Sequence, residues 1–329
     1  MDSPPAPLPR PMSTGEVLDR ALKLYRAHFP LLFALFLLLE LPAFVLSEMY
    51  ADDRARLLAG LTSLGSVASL RALLEEAPPV LAVLLLSLFA QQIAVGVGAL
   101  FTREALQRPS VRPAPLLRHG LRRTPAILFS FVLTSVWMLL LTLLAAVPGA
   151  LLLWLGAGQP DRLVAMALLV TGGGFTILGV LVVGLGVMLR YGLTTEIVVL
   201  EGAGPLTALH RSAELMAGTP GPDFLHNSGL RASFVYAALL CISLSAGTLF
   251  SLPTFAASAY YGGDGWFGRM DEVALPQAVS LATGLVELAG QAVLLPFGLL
   301  AVGVFYFDLR ARRDGADLLS RLALLRSER

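Results

Sequence analysis

A chain of 329 residues that is 56% hydrophobic and 14% charged, at a mean hydropathy of +0.74, is too apolar for a water-soluble globular protein. Its 24 basic and 23 acidic residues nearly cancel, so net charge selects no polyanionic partner, and nothing beyond local charge supports nucleic-acid binding. Cys241 is the single cysteine, which excludes an intrachain disulfide, and there is no Walker loop, HExxH or GxSxG, so no catalytic residue, metal site or cofactor is expected.

In chain order, residues 1–12 carry Pro4, Pro5, Pro7, Pro9 and Pro11 and read as a disordered tail. Ser13 or Thr14 can cap a short helix running to about His28. Its apolar side is Leu18, Ala21, Leu22, Tyr25 and Phe29, with Asp19, Arg20, Lys23 and Arg26 largely opposite, the pattern of an interfacial helix. Six apolar runs follow, at about 29–47, 80–101, 126–154, 163–189, 232–252 and 273–307. Most reach the ~20 residues that a helix needs to cross ~30 Å of hydrocarbon, the first only if Glu40 lies inside it. Residues 52–77 place Leu57, Leu61, Leu64, Ala68 and Leu73 on one face and read as a second surface helix. Phe255, Tyr260, Tyr261, Trp266 and Phe267 in 253–272 read as an interfacial aromatic belt. Residues 13–310 are thus one membrane domain, and 311–329 a C-terminal tail.

These runs are continuous rather than alternating, which excludes a transmembrane barrel, and backbone groups in hydrocarbon must bond within their own segment, which demands helices. Segments 1–28, 102–125, 190–231 and 308–329 carry 4, 6, 3 and 6 basic residues, so 19 of the 24. That bias places these segments, and both termini, on the cytoplasmic side. An even number of spans requires the same agreement. The expected fold is all-α, a polytopic six-helix transmembrane bundle with short cytoplasmic amphipathic helices. Leu18–Tyr25, Leu116–Arg123 and Leu209–Met216 share a related pattern, so the chain reads as three repeated units, each an amphipathic helix followed by a two-span hairpin.

Glu40 and Glu287 lie inside apolar runs, and no Lys or Arg lies within any span to pair with them. Gly284, Glu287, Gln291, Leu295 and Gly298 share one side of the last span; Ser87, Gln91, Ala94 and Gly98 share one side of the second. One reading is a proton or solute path lined by Glu40, Gln91, Glu287 and Gln291. The other is packing through interhelical hydrogen bonds, which the accompanying small residues favour. Gly172, Gly173, Gly174, Gly179, Gly184 and Gly186, and the pairs Ala94/Gly98, Ala145/Gly149 and Ser243/Gly247, point to close helix contacts. Arg112, Arg118, Arg122 and Arg123 are candidates for lipid headgroups beyond their role in setting topology.

Gly15-Glu16, Asp19-Arg20 and Tyr25 near the start, Arg190-Tyr191, Glu201 and Arg211-Ser212 in the middle, and Tyr306, Asp308, Arg310, Arg312 and Gly315 near the end resemble a bacterial membrane-domain family. It is named for the domain fused to some glycerophosphodiester phosphodiesterases. The resemblance implies a multi-span protein; with no soluble α/β region here, it does not carry diesterase catalysis. Asp308 is expected to pair with Arg312 one turn on, or with Arg20 if the two ends of the chain meet, while Tyr306 and Phe307 are expected at the membrane interface.

The expected function is a non-catalytic integral protein of the bacterial inner membrane, a scaffold or membrane-homeostasis factor. Its expected partners are membrane lipids, anionic ones included, another membrane protein or further copies of itself. The alternative is a transporter or transporter subunit using Glu40 and Glu287.

Overall fold

The computed structural model describes residues 11–51, 53, 56, 67–108, 110–217, 228–261 and 275–315, with 67–76 described by backbone alone. Every regular element among them is a helix: α1 (Thr14–Ala27), α2 (Phe29–Met49), α3 (Val67–Gln107), α4 (Pro113–Ala157), α5 (Arg162–Tyr191), α6 (Thr194–Leu200), α7 (Pro205–Met216), α8 (Ser228–Tyr260) and α9 (Gln277–Asp314). Six helical stretches are long and apolar enough to cross a membrane. The chain is an all-α, multi-pass membrane protein.

Local chemistry explains the helix ends. Ser13 and Glu16 form a reciprocal capping box: the Glu16 N–H donates to Ser13 Oγ at 3.2 Å and the Ser13 N–H to Glu16 Oε2 at 2.6 Å. His28 closes α1 and opens α2, and Pro30 occupies the first turn of α2, where its missing N–H costs no ladder bond. Gly315 ends α9 at φ +60°, a left-handed conformation that glycine adopts without a Cβ clash.

Four expectations change. In α1 the wholly buried face is Val17, Ala21 and Leu24, while Leu18, Leu22 and Tyr25 are half-buried and Phe29 is exposed, because the helix docks on α9 rather than resting only on lipid. Residues 67–77 are the first turns of α3 rather than a separate surface helix, continuing through Pro78 and Pro79; Leu57, Leu61 and Leu64 lie outside the described residues. The middle amphipathic segment is likewise continuous with its span in α4 and passes through Pro125, so the three-unit repeat keeps separate leading helices only in α1 and α7. Finally, α8 runs through Pro253 to Tyr260, so Phe255 and Tyr260 are helical; Trp266 and Phe267 lie outside the described residues.

The chain clusters into two compact units, residues 1–124 with 234–329, and residues 125–233. In unit one α9 packs against α1, α2 and α3, and α2 also packs against α3. Phe36, Phe101, Phe305 and Tyr306 are among its fully buried side chains. Of the most apolar stretch of α9, 61% is buried. Tyr306 and Phe307 are therefore core residues and not interfacial ones, because α1 covers the end of α9 that carries them. Close approach is built from small residues: a Cβ on Gly98 would come within 2.9 Å of Leu299, and one on Gly303 within 2.7 Å of Thr102.

In unit two α4 crosses α5 backbone to backbone. A Cβ on Gly149 would lie 2.6 Å from the Gly172 carbonyl, and one on Gly179 would lie 2.8 Å from the Ala145 carbonyl. The small pair Ala145/Gly149 thus makes the contact expected of it, whereas Gly247 faces open space. Beyond these close contacts most of the two helices' apolar side chains are exposed. The most apolar stretches of α4 and of the α5–α6 segment are 11% and 6% buried, with Leu144, Trp154, Leu163 and Val170 turned outward.

Candidate functional site

The two ends of the chain meet in unit one. Asp308, fully buried near the end of α9, accepts the Met12 N–H at 2.6 Å. Arg312, one turn later, donates its Nε to both Asp308 oxygens at 3.2 Å, and its Nη2 to the Met12 carbonyl at 2.6 Å. One carboxylate and one guanidinium thus hold both peptide groups of a single residue that is 296 positions away from Asp308. Burying the Asp308 carboxylate is acceptable because the exposed Arg312 guanidinium and a peptide N–H both bond it. The local Asp308–Arg312 pairing matches one of the two expectations. Arg20 is exposed and Asp19 with it, so the ends meet through the Met12 backbone and not through Arg20. Met12 consequently belongs to the folded unit rather than to a disordered tail; residues 1–10 lie outside the described residues.

Other motif residues serve the same junction. Glu16 caps α1. The Tyr25 hydroxyl donates to the Val293 carbonyl at 2.8 Å, its ring lies edge-on to Phe29 and Phe297, and burial pushes its hydroxyl pKa up, which keeps it a donor. Arg310 lies over the Tyr306 ring at 5.8 Å and within 3.6 Å of Asp314. Gly15 is exposed with open space around its Cβ position.

No hydrogen bond or ion pair joins any two of the four intramembrane candidates among the described residues. Glu287 is half-buried and accepts a hydrogen bond from Thr254 of α8. Glu40 is half-buried with no hydrogen-bond or ion-pair partner among the described residues. Gln91 and Gln291 are exposed, and on α3 it is Gln92 that is buried. From Gln92 onward α3 is buried or half-buried on every side, and Gln91 lies just before that packed stretch. A further acid joins the set: Glu48 accepts from Ser280 at 3.0 Å, and Ser280, Gly284 and Glu287 form a stripe on α9, with Gly284 tight against Phe44 of α2. Each acid bonded here meets a hydroxyl on a neighbouring helix.

In unit two the motif residues Arg190, Arg211 and Ser212 build a corner. Ser212 Oγ donates to the Arg190 carbonyl at 3.1 Å and accepts the Leu193 N–H at 3.3 Å, fixing the break between α5 and α6. Arg211 lies 3.5 Å from Glu214 and 4.0 Å from Glu201. Within the same corner Glu196 is buried, and its Oε2 has no hydrogen-bond partner. Glu196 sits among apolar neighbours in TTEIVVL with no spacing signal to set it apart, so sequence reading passes over it.

Arg112, Arg118, Arg122 and Arg123 are all exposed, as headgroup contacts require. No group of three or more metal-ligating side chains occurs among the described residues. Comparison with protein families, with curated proteins and with solved structures finds no match for this chain.

Proposed function

We propose that this chain is a non-catalytic scaffold of the bacterial inner membrane, with both termini cytoplasmic, that binds lipid or a membrane-protein partner through its sparsely packed hairpin. The observation that carries the reading is the contrast in burial between α9, 61% buried over its most apolar stretch, and the α5–α6 segment, 6% buried over its own. A packed unit closed by polar clamps supports an open unit whose apolar surface needs lipid or protein to cover it. The resemblance to the phosphodiesterase-associated membrane-domain family is consistent with this and adds no catalysis. Native mass spectrometry after mild extraction tests it. A fixed number of retained lipids or of one partner supports the scaffold; protein that carries nothing specific contradicts it.

The second reading, a transporter, draws on the acid-bearing stripe Ser280–Gly284–Glu287 of α9 and on Glu40. Glu287→Gln keeps an acceptor for Thr254 but cannot carry a proton. The transporter reading expects proton-coupled flux in proteoliposomes that this variant abolishes, and the scaffold reading expects none in either protein.

A further inference from the structure

Unit two contains a cavity of about 310 Å³ lined by Gly186, Leu189 and Arg190 of α5 and by Ala213 and Met216 of α7. That volume is at the lower end of the ~300–1,000 Å³ range of small-molecule pockets. Its wall is apolar apart from one cation, Arg190, which lies in the last turn of α5 and is exposed.

The charge of Arg190 is not neutralised by protein among the described residues. Its guanidinium lies 5.9 Å from the Tyr191 ring centroid, and the nearby acids of the corner, Glu201 and Glu214, are drawn to Arg211. Its backbone is held in place, because Ser212 grips the Arg190 carbonyl and the Leu193 N–H. The result is a cation on a fixed backbone at the end of a membrane-length helix, on the side that the arginine bias assigns to the cytoplasm, beside an apolar hollow. A ligand that satisfies both features carries an anionic phosphate joined to hydrocarbon. Inorganic phosphate would meet the cation and leave the hollow unfilled. A neutral lipid would fill the hollow and leave the cation unpaired.

We infer that unit two binds one anionic glycerophospholipid, its phosphate at Arg190 and the start of its acyl chains in the cavity beside Gly186, Leu189 and Met216. The inference rests on the lipid-binding form of the scaffold reading and names a site for it, distinct from the exposed arginines of α4.

The test uses the full chain in phosphatidylcholine nanodiscs containing a minority of phosphatidylglycerol, released and counted by native mass spectrometry. Wild type retains phosphatidylglycerol in preference to phosphatidylcholine. Arg190→Gln lowers that retention about fivefold, the size of one cation's contribution near an anionic leaflet, and Arg190→Lys restores most of it. Gly186→Leu lowers retention with the cation intact, and since a Cβ at Gly186 meets nothing within 4 Å, this variant folds without a backbone clash. Excess inorganic phosphate does not displace the lipid. Equal retention in wild type, Arg190→Gln and Gly186→Leu overturns the site while leaving the scaffold reading standing, and displacement by phosphate overturns the lipid as occupant. A wild type that retains no phosphatidylglycerol overturns the site and the lipid-binding form of the reading together.

Discussion

Unit one and unit two are made from the same kinds of residue, yet the long helices of unit one are packed along their length while in unit two the buried side chains gather at the α6–α7 corner, around Leu193, Ile197 and Leu215. In unit one α9 is covered by α1, α2 and α3, and its acids are bonded to hydroxyls or to a guanidinium. In unit two α4 and α5 touch at a glycine crossing and otherwise turn leucines outward. Hydrocarbon is as apolar as leucine, so apolar character alone drives no helix association in a membrane; close backbone approach and interhelical hydrogen bonds do. Unit one has both. Unit two has the first at its crossing and the second only in its α5–α7 corner.

Truncations break the comparison most directly. Phe305 is fully buried in unit one, and Phe305→Ala is expected to cost about 3–5 kcal/mol in transfer and cavity terms. Leu144 is 69% exposed, and Leu144→Ala is expected to change stability by no more than about 0.5 kcal/mol. Reversible unfolding in mild detergent reads both, and comparable losses would mean that the α4–α5 hairpin is packed as tightly as unit one. Asp308→Ala leaves the Arg312 guanidinium and the Met12 N–H without their shared acceptor; because Arg312 is itself exposed, the expected loss is about 1–3 kcal/mol. A cysteine or spin label near position 12 should then separate from the end of α9.

Smaller effects sharpen the picture of unit two. Gly172→Leu collides with the Gly149 carbonyl and should cost about 1–3 kcal/mol by overpacking, whereas Gly173→Ala, which meets open space, should be neutral or slightly stabilising. Cross-linking between cysteines on α4 and α5 distinguishes the two outcomes. Glu196→Gln replaces a buried carboxylate that has an unpaired oxygen with a neutral side chain of the same shape, so a modest rise in melting temperature is expected. A fall would mean that the carboxylate is held by a specific interaction.

Much of this architecture was legible in the residues, for physical reasons that also mark where reading stopped. Apolar length fixed the six spans, because hydrocarbon admits few alternatives to a helix of about twenty residues. The Asp308–Arg312 pair was legible because i,i+4 neighbours on a helix are local. Its second function, holding the Met12 backbone, was not, since peptide groups carry no sequence signature. The extent of packing was less legible: Gln91 is exposed and Gln92 buried, a difference set by where neighbouring helices begin to cover α3. The apolar runs did not show how far the helices extend, since Pro78, Pro79, Pro125 and Pro253 lie inside continuous helices just beyond the ends of those runs. In a membrane, neighbouring helices and back-bonding hydroxyls can re-satisfy the groups that proline frees.

The central claim is that unit two is completed by what binds it, and hydrogen exchange resolved by peptide measures that directly. The full chain would be compared in phosphatidylcholine nanodiscs with and without phosphatidylglycerol, following peptides from α5 to α7 and from α9. A ligand that binds only the folded state protects the region it closes. The account predicts slower exchange across α5–α7 when phosphatidylglycerol is present, with α9 unchanged. Identical exchange in the two lipid compositions, or a change confined to α9, would contradict it.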